Sequence, residues 1–294
     1  VGPIGSAGGL AANRLARDAD LVIGVGTRMG DFVTASRTAF QDPDVTFVGI
    51  NINGFDAAKM RSVAIVADAR EALTAIAAGL AAAGHEGTSQ EYRQRVTALK
   101  AEWDERVTFH RTPSGETEDL AQPEVIGIVN DAIGGHATIV CAAGSLPGDL
   151  LKLWRPEDSK AYHLEYGYSC MGYEIPAGIG VKLAHPDREI VVMVGDGSYL
   201  MLNSEIATSV MLGTKLVIVV QDNRGYGCIH RLQRAVGGEG FNNLFDDCVQ
   251  GSPGMPAIDF AAHARSLGAL AEHVDSIAAL EAALARARAA DRTY

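Results

Sequence analysis

Two polar turns that follow buried strands contain the residues best suited to chemistry. The first is Gly195–Gly197, read as Gly-Asp-Gly, and the second is Asp222–Gly225. The segment 189–229 that contains both turns has the pattern of a strand, a helix and a second strand, which makes the strands parallel. Turns at the carboxyl ends of neighbouring parallel strands meet at one edge of a sheet. We therefore expect Asp196 and Asn223 to reach the same point.

The side chains that would meet there form an oxygen-only site of low charge. The carboxylate of Asp196, the amide oxygen of Asn223 and a nearby backbone carbonyl suit Mg²⁺ that also keeps phosphate oxygens and water as ligands. The glycines allow the backbone to approach a phosphate closely, and the free N–H groups at a helix start favour an anion. The segment therefore predicts a site for a metal and a phosphorylated ligand.

This spacing resembles the cofactor motif of thiamine diphosphate-dependent enzymes. Asn223 follows Asp196 by 27 positions (223 − 196 = 27), and Gly-Tyr-Gly follows at 225–227. Asp222 stands where the motif usually has an asparagine, at a position that does not bind the metal. The resemblance implies thiamine diphosphate and Mg²⁺ as cofactors, with Asp196, Asn223 and the carbonyl of Gly225 as the metal ligands. The alternative is an ordinary crossover whose turns bind nothing.

The resemblance extends to two further segments. A glycine-rich turn after the predicted strand 138–142 should contact the diphosphate, although a plain turn is an open alternative. Within 162–180, Met171 should hold the cofactor bent and the carbonyl of Ser169 should bind its amino group, whereas Met171 alone would read as a core residue. The predicted cofactor contacts are Ala143, Gly144, Ser145, Leu146, Ser169, Met171, Gly195, Gly197, Ser198, Tyr226, Gly227, Cys228 and Ile229.

The long glycine-rich segment His230–Pro256 is predicted to be an irregular loop that forms part of a substrate pocket. The side chains that could meet a polyhydroxylated or anionic substrate are His230, Arg231, Arg234 and Asn243. A surface loop without a role is an equally open reading for each of them. His163 and His230 are candidate proton donors, and therefore candidate catalytic residues, by location only.

Four sequences favour one branch of the family: AAGSLPGDL, GDGSYLMLNSEIATSVMLG, QDNRGYGCI and FNNLF. The resemblance implies a hydrolase that opens a polyhydroxylated cyclic dione to 5-deoxy-glucuronate during myo-inositol breakdown. A carboligase or decarboxylase of the acetolactate synthase type, acting on 2-oxo acids, is the alternative enzyme. A non-catalytic cofactor-binding subunit is a third reading. The family's activating glutamate is expected outside this sequence, so the 294-residue chain alone is predicted to be inactive.

The whole chain is predicted to be α/β, with doubly wound and mostly parallel sheets. Residues 1–83 resemble part of the central domain of acetolactate synthase-like enzymes, with Asp68 predicted to cap a helix over 69–83. Residues 84–122 read as a helical linker. Its helix has an apolar stripe that we interpret as a packing surface and not as a binding site: Tyr92, Val96, Leu99, Trp103 and Val107. Residues 123–294 read as the diphosphate-binding domain, and both ends of the chain are expected to be cut from a longer protein. Gly24–Gly30 is one residue away from the dinucleotide fingerprint and has no supporting acidic residue, so we interpret it as a plain turn.

Composition limits the partners of the chain. A net charge of −11 argues against nucleic acid or an anionic membrane, and no apolar run reaches the roughly 18 residues of a membrane span. The four cysteines contain no CxxC pair and read as free thiols in a reducing cytoplasm. The resemblance implies a homodimer or homotetramer with its active site at a subunit interface.

Overall fold

The computed structural model describes residues 1–115, 120–248 and 258–294. The chain divides into two units, Val1–Phe109 and His110–Tyr294. Each unit contains a parallel sheet flanked by helices, which confirms the predicted α/β class. The finer domain limits given above remain predictions.

The first unit has a three-stranded parallel sheet in the order β1-β2-β3. Asp68 accepts hydrogen bonds from the N–H groups of Arg70 and Glu71, so it caps α4 as the sequence predicts. The elements are α1 Leu10–Arg17, β1 Leu21–Val25, α2 Asp31–Thr34, β2 Thr46–Asn51, α3 Gly54–Ala57, β3 Val63–Val66, α4 Ala69–Ala82 and α5 Gln90–Arg111.

The apolar stripe predicted on α5 packs within its own unit. Trp103 lies so close to Gly9 that a Cβ at that glycine would be 3.0 Å from the indole ring. Glu102 also pairs with Arg14 of α1 at 2.6 Å. The stripe is therefore a packing surface, as the sequence interpretation proposed.

The second unit has a four-stranded parallel sheet in the order β5-β4-β6-β7. Its elements are α6 Gln122–Ile133, β4 Thr138–Cys141, α7 Leu146–Leu153, β5 Tyr162–Leu164, α8 Glu174–Ala184, β6 Ile190–Gly195, α9 Asp196–Tyr199, α10 Glu205–Leu212, β7 Val217–Gln221, α11 Gly227–Ala235, α12 Phe245–Cys248, α13 Phe260–Ser266 and α14 Ile277–Ala289.

The core of this unit surrounds β6. Residues 190–194 are all buried, as expected for a strand of a parallel sheet that is covered on both faces. Ile175 and Ile179 of α8, Tyr199 of α9 and Ile206 of α10 belong to the same buried cluster. Packing in this core holds β6 in place, and the strand therefore also holds the position of the Gly-Asp-Gly turn that follows it.

The structure corrects two predictions about the segments around β6 and β7. The helix predicted between the two strands of the segment 189–229 begins only at Glu205, and Leu202 lies in the preceding turn with 40% of its surface exposed. The segment His230–Pro256 is not irregular throughout, because α11 extends to Ala235 and α12 spans Phe245–Cys248. Residues 249–257 of that segment lie outside the described part of the chain.

None of the helices in the described residues combines the length and the hydropathy that a membrane span requires.

Candidate cofactor site

Strand pairing brings the two polar turns together. Gly195 at the end of β6 stands opposite Gln221 at the end of β7. The N–H of Gly225 donates a hydrogen bond of 2.6 Å to Oδ2 of Asp196. The N–H of Gly227 donates to the side-chain oxygen of Asn223 at 3.2 Å. The first turn therefore contacts the second one directly, as the crossover pattern predicts.

The surroundings of Asp196 fit a carboxylate that binds a cation. The residue is fully buried, and its Oδ1 has no hydrogen-bond partner among the described residues. Burial raises the pKa of Asp196 to about 6, and the Asp222 carboxyl adds to the rise, while N–H donors of Gly225 and Gly197 oppose it. A bound cation would satisfy Oδ1 and offset the cost of burying the charge. The residues therefore fit a metal ion.

The ligand set must include oxygens other than carboxylates. In the part of the chain that the structure describes, no cluster of three or more His, Cys, Asp or Glu could hold a metal. Mg²⁺ bound by Asp196 would therefore need the amide oxygen of Asn223, the carbonyl of Gly225 and oxygens from a ligand. This matches the oxygen-rich coordination that Mg²⁺ prefers when it binds phosphates.

Three of the strands are each followed by a helix that begins at the same edge of the sheet, α9 directly after its strand and the other two after a short turn. The helix α7 starts at Leu146 after β4, α9 starts at Asp196 after β6, and α11 starts at Gly227 after β7. A Cβ added at Gly144 or Gly195 would meet no atom within 4 Å, so the backbone there is open to a ligand. Free N–H groups at such helix starts attract phosphates.

Met171 and Tyr226 lie over the glycine that follows Asp196. A Cβ at Gly197 would be 2.7 Å from the Tyr226 ring and 3.4 Å from the Met171 methyl group. Met171 is 39% exposed, which disagrees with the alternative reading of a core methionine. Ser169 has a left-handed backbone conformation with φ of 55°. The structure thus brings the predicted wedge residue beside the Gly-Asp-Gly turn.

Several of the predicted cofactor contacts have side chains that are already engaged. Leu146 and Ala143 are buried, and the hydroxyl of Ser145 donates to Oε1 of Gln122 at 3.1 Å. The hydroxyl of Ser198 donates to the carboxylate of Glu174. These four residues would therefore reach a cofactor through their backbone. Cys228 is half-buried, and Ile229 is exposed.

Glu174 is a residue of this site that the sequence interpretation missed. It has no exposed surface, and it accepts hydrogen bonds from the N–H groups of Ala143 and Gly172 as well as from Ser198. A glutamate in the first turn of a helix is usually explained by the helix dipole, so its position in the sequence does not by itself indicate a role in a site. The signal that could have revealed it is a lone acidic residue in the apolar sequence of α8.

The two candidate proton donors lie in different parts of the second unit. His163 is the middle residue of β5, two strand spacings or about 10 Å from β6. Its Nε2 shares a hydrogen bond of 2.8 Å with the hydroxyl of Tyr173. His230 lies on α11, where its Nδ1 is 3.6 Å from Oδ2 of Asp247. Their role in proton transfer remains a prediction.

The segment after α11 folds back against the turn that follows β7. Gly225 forms an antiparallel bridge with Leu244, and the N–H of Tyr226 donates to the carbonyl of Asn243 at 2.7 Å. The side chain of Asn243 donates to Gln233 at 2.5 Å. Asn243 therefore supports this turn with its backbone and braces α11 with its side chain.

A cavity of about 970 Å³ follows β7 and the C-terminal helices. Asn223, Arg224 and Arg231 are among its lining residues, whereas Asp196 and Met171 are not. Of the predicted substrate residues, Arg231 lines this cavity. Arg234 is exposed, and its guanidinium lies 3.8 Å from the carboxylate of Glu239.

Comparison with known proteins identifies both units. Residues 142–294, more than half of the chain, match the family model described as thiamine pyrophosphate enzyme, C-terminal TPP binding domain. Residues 1–76 match the model of the central domain of thiamine pyrophosphate enzymes. These matches support the prediction of thiamine diphosphate as the cofactor.

Three of the similar curated proteins are named for the same enzyme. The chain is 40% identical, over 98% of its length, to 3D-(3,5/4)-trihydroxycyclohexane-1,2-dione hydrolase of Halalkalibacterium halodurans. It is also 40% identical to hydrolase 2 of that name from Bacillus cereus, over 98% of the chain, and 39% identical to the Clostridium tetani enzyme, over 97%. It covers 48% of each relative, so it spans about half of their length. The chain belongs to the thiamine pyrophosphate enzyme family.

Proposed function

We propose that the protein hydrolyses 3D-(3,5/4)-trihydroxycyclohexane-1,2-dione to 5-deoxy-D-glucuronate, with thiamine diphosphate and Mg²⁺, in the breakdown of myo-inositol. The substrate assignment is supported by three similar proteins that align with nearly the whole chain and are named for this enzyme. The metal assignment is supported by the buried Oδ1 of Asp196, which has no partner among the described residues. The activity is proposed for the whole protein and not for the 294-residue chain alone, because the chain spans about half of the length of its relatives.

Each part of the site has a distinct task in this proposal. Asp196, Asn223 and the carbonyl of Gly225 would hold Mg²⁺, and the helix starts would bind the diphosphate oxygens. Met171, which lies beside Gly197, would keep the cofactor bent. The cofactor supplies a carbanion that makes the C–C bond beside a carbonyl cleavable. His163 or His230 would transfer protons to and from the opened substrate.

An assay of two substrates tests this proposal against the alternative enzyme. The protein is incubated with the cyclic dione or with pyruvate, in the presence of thiamine diphosphate and Mg²⁺. We expect the dione to disappear and one equivalent of the open-chain acid to form, with pyruvate unchanged. Consumption of pyruvate without dione hydrolysis would instead support a carboligase of the acetolactate synthase type.

A titration of the cofactor tests the non-catalytic reading. We expect thiamine diphosphate to bind in the presence of Mg²⁺ and to bind much more weakly when the metal is removed with a chelator. Thiamine diphosphate binding of equal affinity with and without Mg²⁺, or no binding of the cofactor, would contradict the proposed site. That result would favour a subunit without a catalytic role.

We also propose a homodimer or homotetramer that covers the site at a subunit interface, in the cytoplasm. Exposed apolar side chains near the site support a covered surface: Met171, Met201, Tyr226 and Ile229. Light scattering after size-exclusion chromatography would give the oligomeric state, and a monomer at micromolar concentration would contradict the proposal. Cell fractionation would test the location.

A further inference from the structure

The carboxylate of Glu174 connects three separate segments of the candidate site. Oε1 accepts a hydrogen bond of 3.1 Å from the N–H of Ala143, and Oε2 accepts one of 3.1 Å from the N–H of Gly172. The hydroxyl of Ser198 lies 2.9 Å from Oε1 and 2.8 Å from Oε2. Ser198 in turn accepts the N–H of Gly172 at 2.8 Å. Both carboxylate oxygens of Glu174 are therefore hydrogen-bonded within the protein, and the residue has no exposed surface.

These three donors belong to the segments that would surround the cofactor. Ala143 lies in the turn between β4 and α7, and Gly172 follows the proposed wedge residue Met171. Ser198 lies two residues after Asp196. Among the described residues, no basic side chain forms an ion pair with Glu174, so backbone and hydroxyl donors alone compensate its buried carboxylate. Burying a carboxylate costs free energy, but a buried polar group whose hydrogen bonds are all satisfied holds the segments around it in one arrangement.

We propose that Glu174 is a positioning residue that holds these three segments in the arrangement that receives thiamine diphosphate. The inference rests on the proposed function, because it assigns the three segments to one cofactor. The hydrogen bonds of Glu174 go to Ala143, Gly172 and Ser198 and not to the proposed metal ligands, so it would act through these three residues.

The arrangement requires a group that accepts hydrogen bonds at both oxygens. In Glu174→Gln, one orientation of the amide would place its NH₂ group against the N–H of Ala143, and the other would place it against that of Gly172. The first orientation leaves the N–H of Ala143 without an acceptor, and the second places two donors against each other and leaves the N–H of Gly172 with only Oγ of Ser198. The lost interaction costs about 1–3 kcal/mol. Because the lost bond is local, the three segments should loosen more than the rest of the sheet.

Hydrogen exchange of the chain without cofactor measures this loosening directly. We expect Glu174→Gln to speed exchange in peptides that contain Ala143 or Gly172 by about tenfold, the effect of about 1.4 kcal/mol. Exchange in the β6 peptide should stay within about twofold, since a general loss of stability would accelerate both. Wild-type exchange rates at Ala143 and Gly172 would overturn the inference, as would equal acceleration in all peptides.

Glu124→Gln is the matched control. Glu124 is another buried glutamate of the second unit, and it accepts the N–H of Ser114 at 2.9 Å. This control makes the same chemical change without touching the three segments, so exchange at Ala143 and Gly172 should not change. If Glu174→Gln does not fold, Ser198→Ala removes the hydroxyl donor that holds the Glu174 carboxylate and should speed exchange at Ala143, which bonds to Glu174 and not to Ser198; an unchanged rate there would overturn the inference.

Cofactor binding separates this inference from the proposed function. With Mg²⁺ present, and well below the unfolding temperature, we expect the Kd for thiamine diphosphate to rise about tenfold in Glu174→Gln and to stay unchanged in Glu124→Gln. If the unaltered protein binds and Glu174→Gln binds equally well, the inference fails. If the unaltered protein does not bind, the proposed function fails, and the exchange experiment still decides whether Glu174 fixes the segments.

Discussion

Replacing Asp196 with asparagine should separate stability from cofactor binding. The substitution keeps the shape of a fully buried side chain but leaves only one oxygen acceptor. If that oxygen accepts the N–H of Gly225, as Oδ2 now does at 2.6 Å, the amide NH₂ group points toward the metal position. If the oxygen turns to the metal, the NH₂ group opposes the N–H of Gly225. One favourable interaction is therefore lost in either orientation.

The size of the loss follows from the type of interaction. A hydrogen bond or ligand bond to a charged group contributes about 1.5–3 kcal/mol, so the affinity for thiamine diphosphate with Mg²⁺ should fall by about 10- to 150-fold. Without metal, the unfolding free energy should be unchanged or higher, because a buried charge without a partner for Oδ1 has been removed.

Two measurements check this prediction: calorimetric titration of the cofactor with Mg²⁺, and urea unfolding of the metal-free protein. Asp222→Asn is the matched control, since it changes a neighbouring carboxylate whose Oδ1 accepts the N–H of Arg224 at 2.8 Å, a bond that asparagine can keep. The control should bind the cofactor within about threefold of the wild type. Equal affinities for Asp196→Asn and the wild type would refute the assignment of Asp196 to the metal.

Three further predictions follow from the second unit. Gly227→Ala places a Cβ 2.7 Å from Oδ1 of Asn223, so titration should show cofactor affinity reduced by about 1–3 kcal/mol. Gly180→Ala meets no atom within 4 Å on the helix α8, so urea unfolding should show a stabilisation of about 0.5–1 kcal/mol; a loss would contradict this. Arg188 lowers the pKa of Asp158 to about 2. Asp158→Asn should therefore reduce the melting temperature much more at pH 7 than at pH 2, because most of that stability is lost as the pH falls from about 4 to 2; equal losses would refute it.

The parts of the fold that could be predicted from the sequence depend on local patterns. The continuous apolar run 190–194 indicated a strand buried on both faces, and the structure places it in the centre of the core. The spacing of Asp196 and the turn at 222–225 indicated two neighbouring strand ends, and the hydrogen bond to Gly225 agrees with that geometry. Such features need only the period of a strand and the topology of one crossover.

Other features depend on contacts that no local pattern contains. Glu174 bonds to Ala143 and Ser198, which are 31 and 24 positions away, so its role is visible only after the segments have folded together. The position of His163 at the edge of the sheet depends on strand order, which the sequence does not state. The glycines at 237–240 suggested an irregular loop and concealed the helix α11, which ends just before them.

Crystals grown with thiamine diphosphate and Mn²⁺ would test the central claim most directly, because Mn²⁺ prefers the same oxygen ligands as Mg²⁺ and gives an anomalous signal. We predict one anomalous peak at about 2.0–2.2 Å from Oδ1 of Asp196, Oδ1 of Asn223 and the carbonyl of Gly225, with diphosphate oxygens completing the shell. A cofactor bound with its metal away from Asp196 would contradict the account.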